Sequence, residues 1–297
     1  MSAEQTNAPA VLITGTSTGI GEACAVALHE RGMRVFAGVR RLEDGERLVD
    51  ATSNGVTPIM LDVTDAAAIA NAASTIRDAT GDAGLAGLVN NAGVTVAFPL
   101  EFLPVEELRR QLEINTIGPA AVTQSMLPLL RLPPGRVVNV SSVSGLIAAP
   151  YIGAYAASKH ALEALSDSLR VEVRNFGISV SLIEPADIKT PIWEKSRAAA
   201  DELREQMMAE VDDDSVSDDV REVYAADITA MRAATQKFAA AAIPVERVVR
   251  AVVHALTARR PKTRYPVGQK TWAVKLLLRH LPDRLRDRIV RRSMGMK

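Results

Sequence analysis

Ala10-Val11-Leu12-Ile13-Thr14-Gly15-Thr16-Ser17-Thr18-Gly19-Ile20-Gly21 is the stretch that decides how this chain folds. The apolar run at its start reads as a short buried strand, and the glycines that follow read as a sharp turn. Glu22 to Arg31 then reads as a helix, with Ala23, Val26, Ala27 and Glu30 at helical spacing. Strand, glycine turn and helix in this order let a backbone approach a pyrophosphate. Glycine permits the close approach, and the helix N-terminus offers unpaired N–H groups to the anion. An ordinary strand-to-helix connection uses the same residues, so the turn alone decides nothing about chemistry.

The chemistry comes from Tyr155 and Lys159, four residues apart in Tyr-Ala-Ala-Ser-Lys and thirteen residues after Ser142. That spacing is about one helical turn, so phenol and ammonium leave one face of a helix. A free tyrosine, with a pKa near ~10, exchanges protons poorly at neutral pH. A fixed cation beside it is expected to stabilise the phenolate, and such a phenol trades a proton with a carbonyl or alcohol oxygen. Tyr151, eight residues before Lys159, has no such one-turn partner. A lone helical lysine is ordinarily a solvated charge; here its company gives it a role.

Outward from the glycine turn, strand-like runs recur at Arg34 to Val39, Val56 to Leu61, Leu85 to Asn90, Arg136 to Ser141 and Ile178 to Ile183. Helical patterns separate them, notably Val105 to Leu130 and Tyr155 to Asn175. This alternation predicts an α/β fold: a single doubly wound parallel sheet of the Rossmann type, with helices on both faces. A ligand then binds beyond the carboxyl ends of the strands, where strand order reverses. The glycine turn, Asn90 and Ser142 each close a strand-like run and so emerge at that edge. Thr190 to Ala242 reads as mostly helical, interrupted at Asp212 to Asp219; Pro244 to Arg259 is a further helix and Thr263 to Val267 a last edge strand. Thr271 to Met294 gives one or two amphipathic helices broken at Leu281-Pro282. The expected organisation is a flexible tail over 1–9, a catalytic domain over 10–267 with a substrate lid at 190–243, and a basic helical C-terminal extension over 268–297.

Thr-Gly-x-x-x-Gly-x-Gly at 14–21, Asn90-Asn91-Ala92-Gly93, Ser142 and Tyr155-x-x-x-Lys159 occur in order, and together the sequence resembles the short-chain dehydrogenase/reductase family. The match covers about residues 10 to 190, and the chain looks like the steroid- and retinol-type members. The resemblance implies a catalytic set of Asn115, Ser142, Tyr155 and Lys159. Ser142 would orient the substrate oxygen, Lys159 would also hold the nicotinamide ribose hydroxyls, and Asn115 would hold a water linking the lysine to solvent. An Asn inside a helix favours a local break, which suits that duty. The cofactor set implied is Gly15, Thr16, Ser17, Thr18, Gly19, Ile20, Gly21, Asp62, Val63, Asn91, Ala92, Gly93, Tyr155, Lys159, Pro185, Ile188 and Thr190. Asp62 matches the family residue that contacts adenine. One departure stands at Pro185-Ala186, where the family usually has glycine after the proline; alanine narrows the backbone options of that loop.

Cofactor choice rests on the end of the second strand, Ala37-Gly38-Val39-Arg40-Arg41, which carries no acid for a ribose 2′-hydroxyl. Guanidinium groups bind a 2′-phosphate through paired hydrogen bonds, so Arg40 is the candidate and NADP the expected cofactor. Asp44 keeps NAD open.

With 297 residues and 47% hydrophobic content the chain fills one large domain. The single cysteine, Cys24, excludes an internal disulfide, and the four histidines show no metal-ligand spacing, so no metal is expected. No export signal is legible before Pro9, and no apolar run is long enough to span a bilayer, which points to a cytoplasmic protein. Residues 259–297 carry 13 Lys/Arg against 2 Asp; at zero net charge, the first 258 residues therefore hold an excess of 11 acidic groups. The tail is expected to dock on the acidic body around Asp212-Asp213-Asp214 and Asp218-Asp219. The alternative is that Thr271 to Leu281 lies on a membrane as a peripheral contact. No nucleic-acid partner is expected, and related enzymes assemble as homo-oligomers through the helices carrying Asn115 and Tyr155.

The expected reaction is hydride transfer between a nicotinamide and an alcohol or carbonyl. Trp193, Ile192, Met207 and Met208 in an alanine-rich lid point to a lipophilic substrate. Epimerase or dehydratase chemistry and a non-catalytic dinucleotide sensor are the competing readings; the second would have no use for the tyrosine–lysine pair.

Overall fold

Parallel strands need a crossover between each pair, and the sequence supplies a helix for most of them. The computed structural model describes residues 8–210, 229–230, 233, 236, 239–268, 271 and 278–296. Its parallel sheet contains β1 (Ala10–Thr14), β2 (Arg34–Val39), β3 (Val56–Met60), β4 (Gly87–Asn90), β5 (Arg136–Val140), β6 (Ser179–Pro185) and β7 (Arg264–Val267), in the order β3-β2-β1-β4-β5-β6-β7. The connecting helices are α1 (Gly19–His29), α2 (Leu42–Ala51), α3 (Ala66–Thr80), α4 (Val105–Leu112), α5 (Gly118–Leu130), α6 (Gly153–Glu172), α7 (Ile192–Glu210) and α8 (Glu246–Thr257). A further helix, α9 (Asp283–Ser293), follows the last strand. All the strand-like runs of the sequence are strands, displaced by no more than two residues at an end.

Strand alternation builds two cores. Val11 and Ile13 of β1 face a cluster with Cys24, Ala25 and Leu28 of α1 and Val248, Val252 and Leu256 of α8. Ala10 and Leu12 face the other, with Ile69, Ala73 and Ile76 of α3 and Val122, Met126 and Leu130 of α5. A strand buried on both faces must be apolar throughout, which is why β1 reads as a continuous run. Cys24 belongs to this packing, and burial pushes its thiol up to about 12, far from reactive.

The pattern from Val105 to Leu130 is not one regular helix. A π-helical turn, Glu113–Ile117, separates α4 from α5, and Asn115 sits inside it. The local break expected at this asparagine is present. Among the described residues no helix is long and apolar enough to cross a membrane.

Several expectations lie outside the described residues: the tail over 1–7, the break at Asp212 to Asp219 and with it the acidic dock, and most of the Thr271 to Leu281 segment. The side chains of Met207 and Met208 lie outside them too. Of the basic extension, α9 is described and buries none of its residues.

Candidate active site

Strand order reverses between β1 and β4, and the glycine turn opens there. Gly15 and Gly19 have φ of +68° and +65°, where side chains are strained. A Cβ on Gly15 would stand 2.8 Å from Ala92 Cα, and one on Gly21 would collide with the Gly15 carbonyl and the Asn91 amide. The ends of β1 and β4 are stitched together. Asn91 Nδ2 donates to the carbonyls of Thr14 and Gly15 at 3.0 and 2.9 Å. Thr14 Oγ1 accepts from the N–H groups of Asn91 and Ala92, each at 3.0 Å. The absence of side chains at these positions and the start of α1 make a surface on which a pyrophosphate fits.

Each residue of the expected cofactor set can be located. Thr16 is tied down: its N–H and Oγ1 both donate to the Gly38 carbonyl, at 3.0 and 3.1 Å. Its buried hydroxyl therefore joins β1 to β2 and is not part of the ligand surface. Thr18 Oγ1 accepts from Lys195 Nζ at 3.2 Å, and Ile20 packs on the core. The Ser17 carbonyl accepts from Arg47, whose other nitrogen pairs with Glu22 at 2.6 Å. Arg40 is exposed at the end of β2. Asp44, the acid that kept NAD open, is paired with Arg41 at 3.1 Å. Asp62 Oδ1 accepts from Thr64 N and Oγ1 at 2.9 and 2.8 Å, closing the turn after β3, and Val63 is buried where a Cβ on Gly118 would meet it at 2.8 Å.

The loop after β6 lies over the glycine turn. Pro185 ends the strand, Ile188 bridges to Ile243, and the Thr190 side chain is 3.4 Å from where a Gly19 Cβ would stand. Trp193 Nε1 donates to the Ile188 carbonyl at 3.2 Å. Ala186 is not in the left-handed region, so the loop does not need the family's glycine there. The room for its methyl is made across the loop by Gly268, whose Cβ would fall 2.6 Å from Ala186 Cβ. Burial raises the Asp187 carboxyl above the usual carboxylate range.

The end of β5 and the first turns of α6 bring together the expected catalytic groups. Ser142 caps the short helix Val143–Gly145, its Oγ accepting from Ser144 N–H at 3.1 Å. Its hydroxyl stands close enough to the Tyr155 phenol to favour the phenolate. Lys159 is buried; Nζ donates to the Val140 carbonyl at 2.9 Å and lies 5.8 Å from the Tyr155 ring centroid. Asn115 Oδ1 accepts from Val94 N–H at 2.8 Å, while Nδ2 donates to the Val94 carbonyl at 2.8 Å and to Ser158 Oγ at 2.9 Å. Ser158 Oγ donates to the Tyr155 carbonyl at 2.7 Å. Gly93 joins this group to the glycine turn: a Cβ on it would lie 3.2 Å from Asn115 Oδ1 and 3.6 Å from Lys159 Nζ.

Two of these groups have surroundings that helical spacing does not show. Burial pushes the Tyr155 phenol up, and the nearby Ser142 hydroxyl offsets this only in part. Burial pushes Lys159 down to about 8. The ammonium donates to the Val140 carbonyl, and desolvation is the largest influence on the phenol. The carboxamide of Asn115, in turn, is committed to Val94 and Ser158: its visible work is to fix the loop after β4 against α6. Sequence reading passed over Ser158, although a serine inside a helix commonly bonds back to a carbonyl a turn earlier. The Val140 carbonyl had no sequence signal at all.

Comparison with known proteins gives the family. The family model described as short chain dehydrogenase matches residues 9–201. The chain belongs to that family. It is 34% identical over 283 residues to the NADPH-dependent 3-dehydrocapnine reductase of Ornithobacterium rhinotracheale, covering 94% of each chain. It is 38% identical over 286 residues to human retinol dehydrogenase 16, covering 94% of this chain and 87% of the relative. Among solved structures, a short-chain dehydrogenase from Streptomyces avermitilis superposes with a TM-score of 0.70 at 29% identity, covering 90% of each chain. As a short-chain dehydrogenase the protein is an oxidoreductase acting on alcohols or carbonyls with a nicotinamide cofactor.

Proposed function

We propose that this short-chain dehydrogenase interconverts a lipophilic alcohol and its ketone or aldehyde with NADP(H), through Asn115, Ser142, Tyr155 and Lys159. The convergence of Ser142 and Tyr155, with a buried Lys159 on the same helix and Gly93 joining them to the glycine turn, carries the reading. When bound, the nicotinamide supplies or accepts the hydride. Ser142 and Tyr155 offer two hydroxyls to one substrate oxygen; the serine orients it and the tyrosine delivers the proton as charge develops. Lys159, charged below about pH 8, holds the ribose hydroxyls and a positive field beneath the site. Gly15 to Gly21 and Asn91 to Gly93 would cradle the dinucleotide, Asp62 and Val63 would hold its adenine, and Pro185, Ile188 and Thr190 its nicotinamide.

NADP is favoured over NAD because exposed Arg40 stands where an acid would repel the phosphate, while Asp44 is neutralised by Arg41. A lipophilic substrate is supported by the partly buried Ile192 and Trp193 over the loop, and by relatives named as retinol and 17-beta-hydroxysteroid dehydrogenases. Exposed Ile117 and Leu165, flanking α5 and on α6, support a homo-oligomer. On α9, Leu285 and Ile289 stay exposed one turn apart among arginines, which supports a cytoplasmic enzyme with peripheral contact to an anionic membrane. The test is a panel of lipophilic ketones with each cofactor. The specificity constant should favour NADPH by roughly tenfold or more. Preference for NADH would overturn the assignment of Arg40, and absence of turnover across the panel would overturn the reaction.

A further inference from the structure

Every fourth residue from Tyr155 carries a titratable group: Tyr155, Lys159, Glu163 and Asp167 follow one another along α6. Four residues is just over one turn, so the four lie on one stripe of the helix, each turned slightly from the last. The first two stand at the site. The next two are held by Arg264 of β7. Arg264 Nη1 donates to Glu163 Oε2 and, at 3.1 Å, to Glu184 Oε1 of β6. Its Nη2 donates to both oxygens of Asp167, at 2.7 and 2.6 Å.

Glu163 and Glu184 are buried, Glu184 completely. Glu163 Oε1 has no hydrogen-bond partner among the described residues. Burying carboxylates around a guanidinium adds little stability, because desolvation offsets most of the attraction. Apolar packing would hold α6 to the sheet as firmly, but would let the helix turn or slide. A planar fork that grips two successive turns of one face fixes both rotation and height. The cluster also reaches the other parts of the site. A Cβ on Gly145 would stand 3.0 Å from Glu163 Cγ and 3.1 Å from the Lys159 carbonyl oxygen, so Glu163 lies against the short helix that Ser142 caps. Glu184 directly precedes Pro185, where the loop over the glycine turn begins.

We infer that Arg264 is a positioning residue for the reaction: through Glu163, Asp167 and Glu184 it sets where α6 presents Tyr155 and Lys159 against Ser142. The inference rests on the carbonyl-reduction reading above, in which Tyr155 delivers the proton. Misplacing a reacting group by about 1 Å slows a reaction by ~100-fold, so the seating of the helix bears directly on turnover. β7 lies at the edge of the sheet, paired with β6 through Leu182 and Arg264. The last strand thereby acts on the site through the helix packed above it.

The test uses Arg264→Lys, which keeps the charge and loses the fork, and Glu163→Gln, which keeps the shape and loses the charge, alone and combined. Each full-length variant is assayed with NADPH and a lipophilic ketone, well below its melting temperature. Each single change should lower kcat by ~10-fold or more, with KM for the ketone and the NADPH dissociation constant within ~3-fold of wild type. The double variant should fall no more than ~3-fold below the worse single one, because both changes break one connection. Should Arg264→Lys fail to fold, Glu163→Gln decides by the same loss of kcat. A lowered melting temperature with kcat within ~3-fold, a loss carried by KM or by NADPH binding, losses that multiply in the double variant, or failure of both single variants to fold would each overturn the inference, leaving the cluster a structural fastening. Failure of the underlying reading looks different: wild type itself would not reduce the ketone.

Discussion

The two halves of the sheet's carboxyl edge are built on different principles. On the β1–β3 side the site is made of backbone: glycines whose missing side chains leave room, and carbonyls tied by Asn91, Thr14 and Thr16. On the β5–β7 side it is made of side chains on a helix and of loops latched to one another, through Ser142, Tyr155, Phe98 and Trp193. Backbone recognises a constant partner, and every dinucleotide has the same pyrophosphate. Side chains and loops suit the part of the problem that varies, which is the substrate.

That contrast is open to experiment. The largest effect belongs to the side-chain half. Tyr155→Phe should lower kcat by ~10³-fold or more while NADPH binding, read by fluorescence titration, stays within ~3-fold. Near-wild-type turnover would remove the tyrosine from the mechanism. On the backbone half, Gly21→Ala places a methyl on the Gly15 carbonyl and should weaken NADPH binding by ~100-fold, with loss of stability. Unchanged affinity would mean the turn is not the cradle. Arg40→Ala should cost NADPH ~10-fold in specificity constant and leave NADH unaffected, since only one of them carries the 2′-phosphate. The smallest effect is a pH dependence. Lys159 titrates at about 8, below its ordinary value, so its ammonium is intact at neutral pH and lost as pH rises through that point. NADPH affinity should fall by ~3-fold or more between pH 7 and 9, a decline that Lys159→Met should abolish. A flat wild-type profile would deny the lysine its ribose contact.

The backbone half was also the more legible. A glycine turn between an apolar run and a helix has few physical explanations, and strands buried on both faces announce themselves as β1 does. Tyr155, Ser142 and Lys159 were legible as a group because helical spacing and strand ends fix where they emerge. Their electrostatics were not. The raised phenol and lowered ammonium follow from desolvation, which depends on what covers a group and not on its neighbours in sequence. The Val140 carbonyl that takes up Lys159 belongs to a backbone, and every residue has one. Likewise, the doubt over Ala186 resolves through Gly268, a residue far along the chain that no local pattern connects to it. The left-handed backbone at Tyr151, whose carbonyl accepts from Phe98 N–H, shows nothing in sequence.

The most direct measurement is a single turnover with stoichiometry. Purified protein in excess is mixed with NADPH and a lipophilic ketone, and absorbance is followed while the product is analysed. The account predicts one NADPH oxidised for each alcohol formed. Conversion of the substrate with NADPH left intact, or tight NADPH binding with no conversion across the panel, would contradict it.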